Sequence, residues 1–81
     1  MRTYRTKRLL KSYADAPREV RRAFDKQLLL LLDNLHYPSL RAKKYDEAND
    51  VWQARVNRDW RFYFKVESDV YYIVDMTPHP K

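Results

Sequence analysis

Among its 81 residues the chain has no glycine and no cysteine. Without glycine there is no Walker loop and no dinucleotide-binding fingerprint, because both need a backbone free of Cβ atoms to approach phosphates closely. Without cysteine there is no disulfide, no thiolate zinc site and no cysteine nucleophile. Histidine is scarce as well: His36 and His79 are the only two, which makes a histidine-built metal site improbable. The apolar run Leu28–Leu32 falls far short of the roughly 20 residues that cross a bilayer. The N-terminal residues lack the apolar region of a signal peptide, so a cytoplasmic protein is expected. A chain this small buries only about 60% of its unfolded surface. A single domain spanning residues 1–81, with no cofactor, is therefore expected.

Charge and aromatic rings are what the sequence has in quantity. Seventeen Lys and Arg stand against eleven Asp and Glu, a net charge of +6, beside seven Tyr, three Phe and two Trp. The charge is lopsided. Residues 1–44 carry twelve basic and four acidic side chains, whereas residues 45–81 carry five and seven. A net of +8 on one half and −2 on the other points to a polyanionic partner, with nucleic acid or the ribosome foremost.

Along the chain, residues 1–5 read as a short strand or extended arm. Thr6 has N-cap chemistry for a helix to about Asp15, with Leu9, Leu10 and Tyr13 at helical spacing. Pro17 ends that helix and suits the first turn of the next, where Glu19 complements the helix dipole. Val20, Phe24, Leu28, Leu31 and Leu35 then fall on one face of a helix ending near Asn34, while Leu29 and Leu30 lie off that stripe. His36-Tyr37-Pro38-Ser39 reads as a loop, because Pro38 bars its predecessor from the α region. From there the period changes to two. An edge strand over residues 40–45 and strands over 51–57, 60–66 and 70–76 are expected, with Asn57-Arg58-Asp59 taking left-handed geometry in place of glycine. The fold class is thus α+β: two N-terminal helices packed on one face of a small, three- to four-stranded antiparallel sheet.

The strand faces carry the functional argument. Trp52, Ala54 and Val56 alternate on one side of their strand, and Trp60, Phe62, Phe64 and Val66 on one side of the next. These should pack against the leucine stripe. The reverse face then shows Gln53, Arg55, Asn57, Arg61, Tyr63 and Lys65. Antiparallel pairing across the Asn57–Asp59 turn sets Arg55 and Arg61 on one face in neighbouring registers. Two adjacent guanidiniums repel, and no carboxylate is interleaved between them. An anion seated there would relieve the repulsion and accept bidentate hydrogen bonds.

The ordered pieces Asn34…His36-Tyr37-Pro38-Ser39-Leu40, Lys43-Lys44, Val51-Trp52…Arg55-Val56, Asp59-Trp60-Arg61-Phe62…Phe64-Lys65-Val66 and His79 resemble the RelE/ParE toxin superfamily. The likeness is strongest to the branch described as cytotoxic translational repressors of toxin–antitoxin systems. It implies an mRNA interferase: a metal-independent endoribonuclease that cuts mRNA on the ribosome by attack of the 2′-hydroxyl on the adjacent phosphate. It also implies a cognate antitoxin that covers this surface. By the same resemblance Arg61 matches the strand arginine that contacts the scissile phosphate, and Arg55 a basic residue on the preceding strand. His79 matches a position that is His or Arg in several relatives, and an imidazole can give or take a proton near neutral pH. Lys43 and Lys44 match a basic stretch for RNA backbone contact, and Tyr63 and Lys65 join them from the polar face as RNA-binding candidates.

The chain departs from the family pattern in places. Gln53 stands where some relatives have lysine, no acidic residue stands just ahead of the central strands, and few residues follow His79. Two other readings therefore stay open from the sequence: a ParE-like module that poisons DNA gyrase, and a catalytically degenerate module that binds antitoxin or nucleic acid.

Overall fold

The computed structural model describes residues 1–79. It comprises β1 (Arg2–Arg5), α1 (Lys7–Asp15), α2 (Arg18–Asp33), a 3-10 turn (Pro38–Leu40), β2 (Lys43–Asp46), β3 (Val51–Arg55), β4 (Trp60–Glu67) and β5 (Val70–Pro78). The sheet has five strands in the order β1-β5-β4-β3-β2. The α+β class with two helices on a small sheet is as expected from the sequence, but the sheet is larger and mixed. Its fifth strand is β1, which pairs in parallel with β5 from Arg2 opposite Val70 to Arg5 opposite Ile73. β1 shows no alternation because only Thr3 of its four residues is even half-buried. An edge strand with so little to bury leaves a weak period in the sequence.

Where β1 stops, α1 takes over the edge of β5. The Thr6 side chain caps α1 by accepting from the Leu9 N–H (3.1 Å), while its hydroxyl donates toward the Ile73 and Val74 carbonyls (3.1 and 2.9 Å). Further along, Ser12 Oγ donates to Asp75 (2.6 Å) and Arg8 Nε lies 3.0 Å from the same carboxylate. One turn of helix thus replaces the hydrogen-bonding edge a strand would have supplied. Among the described residues no helix is long and apolar enough to cross a membrane.

Both helices cover one face of the sheet. The interior joins Leu9 of α1 and Val20, Phe24, Leu28 and Leu31 of α2 to Ala54, Phe62, Phe64, Ile73 and Met76 of the sheet. Phe24 meets Phe62 edge-to-face with centroids 5.4 Å apart, the geometry that aromatic quadrupoles favour. Trp52, Trp60 and Val66 only reach the margin of this core, half-buried. Trp52 stacks on Phe64 and carries the Lys44 ammonium over its outer ring at 5.4 Å.

Leu40 is fully buried, but it enters the core from the 3-10 turn rather than from a strand. Arg41, at φ 47°, ends that turn in the left-handed region. The edge strand therefore begins only at Lys43. The turn between β3 and β4 also differs from expectation. None of Asn57, Arg58 and Asp59 has a positive φ, and the Asn57 side chain instead accepts from the N–H groups of Asp59 and Trp60, both at 2.9 Å. Among the described residues the left-handed ones are Arg41, Asp50 and Ser68, each in a connection that another protein would give to glycine. Between β4 and β5 the register shifts after Tyr63, so that Val74 has no partner on β4. This bulge puts Ile73 and Met76 on the core side although they are three residues apart.

Leu28 is 3% exposed and Leu29 is 68% exposed, which makes the two neighbours a test of the helix face. Leu28→Ala is expected to cost about 2–5 kcal/mol, and Leu29→Ala less than about 0.5 kcal/mol, both measured by urea unfolding.

Candidate functional site

The alternation that turns Ala54 and Phe62 to the helices turns their neighbours to the open face. Arg55 stands directly opposite Arg61, and Gln53 opposite Tyr63 and Lys43. Together with Arg41 and His79 these strands enclose a cavity of about 290 Å³ lined by Arg41, Lys43, Gln53, Ala54, Arg55, Arg61 and His79. Two strands, one edge strand, the end of the 3-10 turn and the residue after β5 each supply a basic group. No carboxylate lines it.

Arg55 is the group most affected by this crowding. Its Nε is buried and has no hydrogen-bond partner among the described residues. Burial, then the nearby charges of Arg41 and Arg61, push its guanidinium below the ordinary arginine value. An unpartnered buried N–H beside like charges is unfavourable for the chain by itself. An anion in the cavity would offset the repulsion between the guanidiniums. Arg61 is placed differently. Its Nη1 donates to the Asn57 and Trp60 carbonyls (2.8 and 2.9 Å), with Arg58 O at 3.3 Å. One edge of the guanidinium is fastened to the turn, so Arg61 is held in place rather than waving in solvent. His79 is exposed at the cavity rim, with its backbone N–H donating to Asp59 O at 2.7 Å.

Of the candidates read from the sequence, Arg55, Arg61, Lys43 and His79 come together here. Tyr63 sits beside the cavity: Gln53 Nε2 lies 3.4 Å from its hydroxyl, and its ring packs on Tyr45 at 4.9 Å. Lys65 is farther along β4, opposite Tyr72, and does not line the cavity. Lys44 pairs with Trp52 on the helix-side face and is tied to Asp50, a hydrogen bond that raises its ammonium above the ordinary lysine value. Period two separates Lys43 from Lys44, so the pair cannot act as a unit on one face. His36 lies in an exposed turn, its backbone N–H bonded to the Asn34 side chain.

Two contributors have no counterpart in the sequence reading. Arg41 enters the cavity because its left-handed backbone swings the chain from the 3-10 turn into β2, and no glycine marks the position. Gln27 lies on α2 three residues after Phe24 and four before Leu31, at the margin of the leucine stripe, and is 7% exposed. Its Nε2 donates to Ser39 O (3.1 Å) and to Arg55 O (2.9 Å). A single amide therefore fixes both the turn that carries Arg41 and the strand end that carries Arg55. A polar residue at i+3 from Phe24 and i−4 from Leu31 was the available signal.

No family model and no curated protein sequence matches the chain. Solved structures do match. The YoeB/ParE toxin from Agrobacterium tumefaciens superposes with TM-score 0.80 at 10% identity, covering 99% of this chain and 100% of that one. A chain of the archaeal RelE–RelB complex from Pyrococcus horikoshii gives 0.77 at 21% identity, covering 95% and 92%. The isolated Escherichia coli RelE toxin gives 0.78 at 17% identity, covering 98% and 84%. The chain has the fold of the RelE/YoeB/ParE toxins, as the sequence resemblance implied.

Two substitutions separate architecture from the cavity's own chemistry. Gln27→Leu keeps the volume but leaves the Ser39 and Arg55 carbonyls unpaired, with an expected cost of about 1–3 kcal/mol by urea unfolding. Arg55→Gln removes a repelled, unpartnered cation and is expected to leave the melting temperature unchanged or higher. In return, inorganic pyrophosphate should raise the melting temperature of the native chain and not that of Arg55→Gln.

Proposed function

We propose that this chain is the toxin of a toxin–antitoxin pair and acts as a ribosome-dependent mRNA endoribonuclease. The observation that carries the reading is the carboxylate-free cavity in which Arg55 and Arg61 face each other with the Arg55 Nε unpartnered, built on a fold shared with RelE toxins.

Cleavage by an internal nucleophile asks little of the enzyme beyond proton transfer and charge stabilisation. The 2′-oxygen forms a bond to the neighbouring phosphorus and gives up its proton. The bond from phosphorus to the 5′-oxygen breaks, and that oxygen takes a proton. The products are a 2′,3′-cyclic phosphate and a free 5′-hydroxyl, with no net gain or loss of atoms. Between them the phosphorane gathers negative charge on its non-bridging oxygens, where fixed donors in a site shielded from water stabilise it most effectively.

Arg55 and Arg61 supply those donors from adjacent strands. Because Arg61 is already fastened to the Asn57 and Trp60 carbonyls, its remaining N–H groups need no reordering when the phosphate arrives. His79 at the rim is the proton-transfer group. Lys43 adds positive charge from β2 beside Gln53, with which it pairs. The antitoxin is the second partner. The structurally similar RelE–RelB and YoeB–YefM assemblies are complexes of this kind, and an acidic segment of the antitoxin would neutralise the same basic surface.

Primer extension on an mRNA in a reconstituted translation mixture tests the reading. Native protein should produce cuts at defined codon positions that require ribosomes. Arg55→Gln and His79→Gln should each lower cleavage by at least about 100-fold while circular dichroism shows an intact fold. Arg61→Ala should do the same but also lose about 1–3 kcal/mol through its turn hydrogen bonds. Uncut message in the presence of folded native protein would overturn the nuclease, and gyrase inhibition would then be assayed in its place.

A further inference from the structure

Behind the first cavity lies a second, larger one that no part of the mechanism uses. Its volume is about 540 Å³, and it opens between α2 and the β3–β4 turn. Lys26 and Gln27 line it from α2, Ser39 and Arg41 from the 3-10 turn, and Arg55 and Arg58 from the far side. Arg41 and Arg55 belong to both cavities. Again no carboxylate is present in the lining, and none of Lys26, Arg41, Arg55 or Arg58 forms an ion pair among the described residues. The exposed acid next to Lys26 on α2, Asp25, is engaged by the Tyr13 hydroxyl at 2.9 and 3.0 Å.

We infer that the two cavities form one continuous track for a single-stranded RNA backbone, with the scissile phosphate in the first and a neighbouring phosphate in the second, held by Lys26 and Arg58. The identity of the polyanion rests on the nuclease reading; the existence of the second anion site does not. Charge complementarity selects the occupant. Four cations converge on a groove whose only neutral polar side chains are short or already committed, Gln27 to two carbonyls. Such a lining recognises repeated negative charge and offers little to read a base. Arg41 and Arg55, placed between the cavities, would each face a phosphate on either side, which is how one guanidinium spans consecutive links of a charged chain. The Gln27 amide holds their two segments at fixed separation, so the spacing of the track is set by the fold.

The salt dependence of binding reads the number of phosphates neutralised. For a single strand, the slope of log K against log salt changes by about 0.7 per contact. The probe is a hexanucleotide with 2′-O-methyl groups, which cannot be cut by 2′ attack. It is titrated against the native chain, Lys26→Gln/Arg58→Gln, and Lys7→Gln/Lys11→Gln on exposed α1 as a charge-matched control. The double variant in the groove should lose about 1.4 from the slope and the control less than half of that. Equal slopes in all three proteins would overturn the track, as would failure of the native chain to bind the probe at low salt. So would binding of an oligoglutamate peptide, dependent on Lys26 and Arg58, in a protein that ignores the probe. Because the probe is not a substrate, an uncut message in the translation assay leaves this result standing. Normal probe binding by Arg61→Gln, altered in the first cavity alone, together with a lost slope in the groove variant would overturn the joint track.

Discussion

The structure depends on a constraint of period two. Ala54 and Phe62 face each other on the helix side, as do Trp52 and Phe64, and the core cannot close unless both pairs are turned inward. The residues between them then have one place to go. Arg55 and Arg61 become cross-strand neighbours because burying Phe62 and Phe64 leaves their sequence neighbours no other side. A slip of one residue would bury two guanidiniums and expose two phenylalanines, so hydrophobic burial holds the two cations together against their repulsion. Burial of a Phe side chain stabilises by about 1.5–3 kcal/mol. Two such side chains together contribute about 3–6 kcal/mol, against about 1–4 kcal/mol of repulsion for two charges about 4 Å apart near a surface, and the core wins.

That constraint explains how a site made of like charges can persist in a domain with a small core. The cations are not anchored by counter-charges, which would compete with a ligand, but by backbone groups and by packing. Arg61 uses turn carbonyls, Arg55 is carried on a strand end fixed by the Gln27 amide, and Arg41 is delivered by a left-handed turn residue after the buried Leu40. Each anchor spends a neutral acceptor or an apolar contact and leaves the positive charge unneutralised. The opposite solution is visible elsewhere in the same sheet, where the Asp75 carboxylate accepts from Ser12, Arg8 and its own chain's Met76 N–H. There the charge is fully engaged and ties α1 to β5.

The sequence made the helices, the central strands and the shared face of Arg55 and Arg61 legible, because each depends on a period that burial enforces. Thr6 and Pro17 were readable for the same kind of local reason. What was not legible depended on contacts between distant segments or on backbone geometry without a marker. β1 buries too little to show alternation. The Val74 bulge breaks the period at its own position. Arg41, Asp50 and Ser68 take left-handed conformations that a glycine would have announced. Gln27 sits at the margin of the leucine stripe, and its partners Ser39 and Arg55, twelve and twenty-eight residues away, present their carbonyls to it only in the folded chain. Lys43 and Lys44 looked like one basic pair, and only the strand pairing shows that they serve opposite faces.

The absence of glycine bears on the chemistry as well as the fold. Phosphate sites built on glycine loops bind through backbone N–H groups, which are neutral dipoles and suit a nucleotide held for catalysis on its distal end. This chain has no glycine for such a loop, and its cavity is lined by charged side chains instead. Charged side chains draw the polyanion from a distance and bind any phosphate along a strand nearly equally well. Discrimination among sequences then has to come from elsewhere, such as a scaffold that presents one particular linkage. A ribosome holding message in a fixed register would supply that presentation. Under the nuclease proposed above, a cavity lined by charge would leave the target to be chosen by where the RNA is held rather than by what it spells.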